Sequence, residues 1–429
     1  MSFNQLAARM SRVRPSPTAE ISDKVRALVA QGKSVINLGE GELDFDTPEH
    51  IKRAGIAAIE RGDTKYTAVA GTAELLDAVR EKFSRENGLE YARKEVIAGT
   101  GAKQLIFNAL LATVSAGDEV LITAPYWVSY PDMVGLCDGY TTVLPCHVAD
   151  EWKLRPEVLR AAIGPSTRWL ILNSPNNPSG AIYTRAELQA LTDVLLEHEH
   201  VLVMADDIYE HVRYGGDFYT LAQVEPRLKE RTLTINGVSK GFSMTGWRLG
   251  YAGGPRWLID AMLTLQSQST SNPSTISQAA AIAALQGGNE FMKTWLVSLA
   301  GRRQTVLDAI ARSAGLSCAV SEGAFYAFVN CEGVIGAVTP NGARIMSDFD
   351  FASYLLEYAH VGTVHGAAFG VKDHLRIAYA VAPEMLVEAC RRIEAACAAL
   401  TLAPLAPSAS ATGGSDMKPV TSYSPSPVA

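Results

Sequence analysis

Charged residues make up only 19% of the 429-residue chain, and acids outnumber bases by 45 to 38, for a formal net charge of −7. A broad basic surface for a nucleic acid is therefore not expected. No apolar run is long enough to cross a bilayer, which argues against a membrane-spanning protein. The six cysteines (Cys137, Cys146, Cys318, Cys331, Cys390, Cys397) are scattered, and none forms a C-x-x-C pair. Neither a zinc site nor a disulfide framework is signalled, and reduced, mostly buried thiols are expected. The first twenty residues lack the apolar core of a secretory signal. They contain arginine, which leaves a transit peptide open, and a cytoplasmic address is expected. Internal repeats are absent.

What is present is an ordinary globular composition, 48% hydrophobic, in a chain long enough for two or three domains and a large core. From about Ala403 to Ala429 the sequence turns to Pro, Ser, Ala and Gly, and a disordered tail is expected there. The middle alternates short apolar runs with helix-like segments. Glu95–Ala98, Glu119–Ala124, Trp169–Leu172, Val201–Ala205 and Thr232–Ile235 read as buried strands; Leu105–Leu111, Pro156–Ile163 and Leu188–Glu197 read as helices. This alternation predicts an α/β fold with a mainly parallel sheet. Polar clusters follow the strand runs directly: Asn173–Gly180, Asp206–Tyr209 and Ser239-Lys240. Ligands bind beyond the carboxyl ends of such strands, so the three loops predict one composite site.

Several residues there could carry chemistry. Gly99-Thr-Gly-Ala-Lys-Gln104 opens a helix-like run, where free N–H groups attract an anion; it is neither a Walker loop nor a dinucleotide fingerprint. Lys240 sits among small and aromatic residues, and a desolvated lysine is an amine able to form a Schiff base. Arg248 could pair with a phosphate. Asp206 ends an apolar strand, and a buried carboxylate needs donors or a cation, for which a pyridinium nitrogen would serve. Trp127 could stack on a flat cofactor. Arg376, within the apolar His374–Tyr379, could fork onto a carboxylate. Taken singly, each has a plainer reading: a solvated Lys240, a surface ion pair for Arg248, a core Trp127, an Arg376 on the solvated face of its strand. Asp206, Asp207 and His211 fall short of a metal ligand set, and no metal is expected.

Taken together, the segments resemble the pyridoxal-phosphate aminotransferases of fold type I, class I, in the bacterial aspartate/prephenate branch. The resemblance rests on Asp44–His50, Thr64-Lys-Tyr66, Gly101–Gln104, Gly117–Val120, Pro125–Pro131, Asn173–Pro178, Asp206–His211, Ser239-Lys240 with Met244–Tyr251, and Gly323–Tyr326, in family order. It extends from about residue 10 to 397. It implies a mainly parallel seven-stranded sheet in a large domain plus a smaller α+β domain, pyridoxal 5′-phosphate as cofactor, and a homodimer with shared sites. It implies that Lys240 bonds the cofactor and shuttles the proton, that Asp206 pairs with the ring nitrogen, and that Asn177 and Tyr209 meet the ring hydroxyl. Trp127 stacks on the ring. Gly101, Ala102 and Lys103, with Arg248 and Ser239, hold the phosphate, which Tyr66 reaches from the other subunit. Arg376 takes the substrate α-carboxylate with Asn177 and the Gly41 backbone. Lys103 meets the distal carboxylate, and Thr18 lies on a segment that closes over the substrate.

The implied activity is amino transfer between aspartate or glutamate and a 2-oxo acid such as 2-oxoglutarate or oxaloacetate, with prephenate a further acceptor. Aromatic or neutral amino acids as donors, and a β-lyase, stand as alternatives. The chain departs from the usual motifs at Leu43, Ala68 and Ala73, where prolines are common, at Gly237, and at His365, for which a surface loop position is the plainer reading. The expected divisions are 1–46 (arm and part of the small domain), 47–297 (large domain), 298–400 (small domain) and 401–429 (tail).

Overall fold

The computed structural model describes residues 6–402. Seven strands form the central sheet: β1 (Val96–Gly99), β2 (Glu119–Ala124), β3 (Tyr140–Pro145), β4 (Thr167–Asn173), β5 (Leu202–Asp206), β6 (Thr232–Gly237) and β7 (Gly250–Gly253). Their order is β1-β7-β6-β5-β4-β2-β3. Only β7 runs antiparallel to its neighbours; the remaining pairs are parallel. Every residue of β1, β2, β5, β6 and β7 is buried, as strands covered on both faces must be.

The expected strands are all present, with ends displaced by up to two residues. The apolar run Trp169–Leu172 grows to Thr167–Asn173 because polar residues at both ends find partners. Thr167 donates to Glu119 at 2.5 Å, and the Asn173 amide donates to the Asp206 carbonyl at 2.7 Å. A polar residue joins a buried strand when a neighbour satisfies it.

Helices cover the sheet, and their ends are written in the sequence. Arg185–Leu196 starts at a capping box in which Thr184 and Glu187 satisfy each other's backbone. Ala73–Asn87 begins at the Thr72 cap and stops at Gly88, whose φ of +62° suits a residue without Cβ. Two core clusters, around Ile122 and Met204 on one side and Leu121 and Val203 on the other, fill the space between sheet and helices.

A second, antiparallel sheet has the order Val364–His365, His374–Ala378, Tyr326–Asn330, Ser317–Cys318. Ile36–Asn37 pairs in parallel with Val361–Gly362, tying the N-terminal segment to the C-terminal third. The helix Glu290–Arg312 passes the expected 297/298 division without a break. Thr401 bridges to Val338; the remainder of the expected tail, from residue 403, lies outside the described residues. All six cysteines are free thiols, five buried and Cys318 half-buried. Among the described residues no helix is long and apolar enough to cross a membrane.

Candidate active site

At the carboxyl end of the central sheet, Asn173 on β4 stands opposite Asp206 on β5, which stands opposite Ile235 on β6. Parallel register thus places the loops after three adjacent strands around one cavity. It is lined by Thr18, Gly41, Ala102, Lys103, Trp127, Asn177, Asp206, Tyr209, Ser239, Lys240, Arg248 and Arg376 among others. Twelve residues singled out in the sequence therefore meet in one place. Gly101 lies immediately before Ala102, at the start of the helix. Tyr66 does not line the cavity; it is 90% exposed.

Asp206 is buried, and its partners are neutral. Tyr130 donates to its Oδ2 at 2.6 Å, and the Ile208 amide lies 3.4 Å from its Oδ1. Burial pushes the carboxyl up to about 6, against these hydrogen bonds and the Lys240 charge. Lys240 donates to the Gly41 carbonyl. Burial draws its ammonium down to about 8, and the nearby cations Arg376 and Arg248 act in the same sense. A fraction of this lysine is therefore a free amine at neutral pH, unlike a solvated one.

Arg376 is 2% exposed in the buried strand His374–Ala378, so the solvated-face reading of that strand does not hold. Its guanidinium donates to Asn177 Oδ1 at 3.1 Å and to the Gly39 carbonyl at 2.5 Å. Asn177 is itself fixed, its amide donating to Asn173 Oδ1 at 2.8 Å.

Also on the cavity wall, the helix Ala102–Thr113 begins with no side-chain cap. Its first N–H groups have no intrahelical acceptor and make an anion site. Glycines build this close approach. Gly101 has φ +85°, and a Cβ there would meet Arg248 Nη2 at 2.7 Å; a Cβ on Gly250 would collide with the Ala102 nitrogen. Arg248 is held by its bond to the Thr245 carbonyl at 2.8 Å. Lys103 lies 4.8 Å over the Trp127 ring, its ammonium drawn down first by burial and then by Arg248.

Sequence reading missed Tyr130 and Tyr326. Tyr130 lies three residues after Trp127, and the two rings meet edge to face at 5.3 Å. Tyr326 lines the cavity and shares a 2.8 Å hydrogen bond with Tyr209. A supporting network also escaped notice: Glu210 accepts from Lys82, from Asn87 at 2.8 Å and from Asn236 at 2.7 Å, pinning the turn after Asp206 to β6. Asp206, Asp207 and His211 do not converge. His211 instead meets Glu86 at 2.9 Å, and the buried Lys82 supplies the cation of the Glu86–Glu210–His211 cluster. His365 closes a short strand, half-buried against the Phe349 ring, rather than in a surface loop.

Residues 33–393 match the family model described as aminotransferase class I and II. The aspartate aminotransferase of Rhizobium meliloti strain 1021 is 53% identical over 394 residues, covering 92% of this chain and 96% of that one. The aspartate/prephenate aminotransferase of Cereibacter sphaeroides is 53% identical over 397 residues, 92% of this chain and 99% of its own length. Among solved structures, the aspartate aminotransferase of Rhizobium meliloti superposes with a TM-score of 0.90 over 92% of this chain and all of its own, at 53% identity. That of Thermus thermophilus with maleate superposes with a TM-score of 0.85, at 38% identity over 92% of this chain and all of its own. With the sheet order and the cavity described above, these likenesses make the chain a member of the class I and II aminotransferase family.

Proposed function

We propose that the protein moves an amino group between aspartate or glutamate and a 2-oxo acid, 2-oxoglutarate or oxaloacetate, using pyridoxal phosphate, with prephenate a further acceptor. The residues present fit that cofactor. A buried Asp206 with only neutral donors suits a cationic ring nitrogen. An uncapped helix start beside Arg248 suits a phosphate. Bound there, pyridoxal phosphate supplies an aldehyde that links reversibly to amines and a ring that takes up electrons released at the substrate Cα.

The chain's own residues do the rest. Lys240 holds the aldehyde and, once freed, is the amine that takes the proton from Cα; a pKa near 8 suits that task at neutral pH. Arg376 and Asn177, with the Gly41 backbone, hold the α-carboxylate. Lys103 holds the distal carboxylate as a single point charge. Trp127 covers the ring, Tyr209 and Asn177 meet its hydroxyl, and Ala102, Lys103, Ser239 and Arg248 hold the phosphate with the Gly101 backbone. Thr18 closes the mouth.

We place these sites in a cytoplasmic homodimer with domains divided near residues 46 and 297. Tyr66, a large apolar ring 90% exposed and outside its own cavity, reaches the phosphate site of the partner subunit. The observation that carries the proposal is the gathering of a depressed Lys240, a raised Asp206 and a buried Arg376 in one cavity.

A panel of amino donors with 2-oxoglutarate as acceptor tests it. Aspartate should give the highest kcat/KM. Preference for an aromatic or neutral donor would overturn the dicarboxylate assignment, and release of ammonia with pyruvate would indicate β-elimination.

A further inference from the structure

We infer that Tyr326 is a positioning residue for Arg376, its ring holding the carboxylate-binding guanidinium in place without using up its donors. The inference rests on the proposed role of Arg376. Tyr326 stands opposite Ala378 in the antiparallel pair, which makes Arg376 its diagonal neighbour on the same sheet face. The Arg376 guanidinium carbon lies 4.6 Å from the Tyr326 ring centre and 5.0 Å from that of Phe369.

A buried cation ordinarily requires an anion. Among the described residues Arg376 bonds two neutral oxygens, on Asn177 and Gly39, and its buried Nε has no partner. A resident carboxylate would stabilise the charge but compete with the substrate for the same fork. Aromatic faces are negative and attract a guanidinium without accepting its N–H bonds. The two rings therefore offset part of the burial cost and leave the remaining donors for an incoming carboxylate. Tyr326 is in turn fixed from its far end. Its hydroxyl bonds Tyr209 at 2.8 Å, and any Cβ on Gly41 would lie 2.7 Å from that oxygen.

The test is calorimetric binding of succinate, which reacts with nothing, to the holoenzyme, alongside steady-state kinetics. Tyr326→Leu should raise the succinate Kd about tenfold, the loss of one desolvated cation–π contact. It should raise KM for aspartate and 2-oxoglutarate by similar factors while kcat changes less than about threefold. Tyr326→Phe keeps the face and should recover most of that loss. An unchanged Kd in Tyr326→Leu, or an equal loss in Tyr326→Phe, overturns the inference. If Tyr326→Leu does not fold, Tyr326→Met removes the aromatic face with a flexible apolar side chain and should show the same loss; its absence overturns the inference equally. Arg376→Ala separates the two levels. A Kd unchanged there contradicts the α-carboxylate role itself, whereas a weakened Kd there with a normal one in Tyr326→Leu contradicts only the part given to Tyr326.

Discussion

The phenol of Tyr130 donates to the carboxylate of Asp206 at 2.6 Å, and both groups are buried. The bond favours the ionised acid while burial opposes it. With Asp206 at about 6 in the fold, the bond acts at full strength well above pH 6 and weakens as pH falls through that value. Tyr130→Phe should therefore destabilise the cofactor-free protein by about 1.5–3 kcal/mol at pH 8, the value of a hydrogen bond to a charged group. The loss should shrink at pH 5. Denaturant titrations at the two pH values check this, and an equal loss at both would contradict it.

Lys103, 4.8 Å over the Trp127 ring with Arg248 as a neighbouring cation, is the residue we propose for the distal carboxylate. Lys103→Ala should raise KM for aspartate on the order of tenfold or more, the scale of a lost charge-assisted contact, and change that for alanine far less. Equal effects on the two donors would remove Lys103 from substrate selection.

Gly250 lies against the first turn of the helix Ala102–Thr113, so close that a Cβ added to it would run into the Ala102 nitrogen. Backbone cannot yield as a flexible side chain does. Gly250→Ala should displace that turn, lowering stability by about 1–3 kcal/mol by overpacking and weakening cofactor retention. Thermal unfolding and equilibrium dialysis of pyridoxal phosphate read the two effects. Retained stability and affinity would show that the close approach has no role.

The strands were legible because buried parallel strands are unbroken apolar runs; Val201–Ala205 and Thr232–Ile235 lie within a residue or two of the observed bounds. Asp206 and Lys240 stood out because polar residues directly after such runs lie at the carboxyl edge of the sheet. Arg376 was ambiguous, since His-Leu-Arg-Ile-Ala alternates like a strand with one wet face; in the fold every residue of that strand is buried, and Tyr326 and Phe369 cover the face that carries Arg376. Tyr130 and Tyr326 were illegible for another reason. An aromatic residue in an apolar segment reads as core, and nothing local records which polar atom its hydroxyl will meet. Glu210 likewise depends on Lys82, 128 residues away in sequence.

The most direct test concerns the amine of Lys240. Its ammonium is drawn down to about 8, so the amine form, absent well below that value, fills as pH rises through it. Pyridoxal phosphate added to cofactor-free protein should attach at a rate that rises with pH and levels off above about 8. Borohydride reduction followed by peptide mass spectrometry should then place the adduct on Lys240 alone; an adduct on another lysine, or none, would contradict the account.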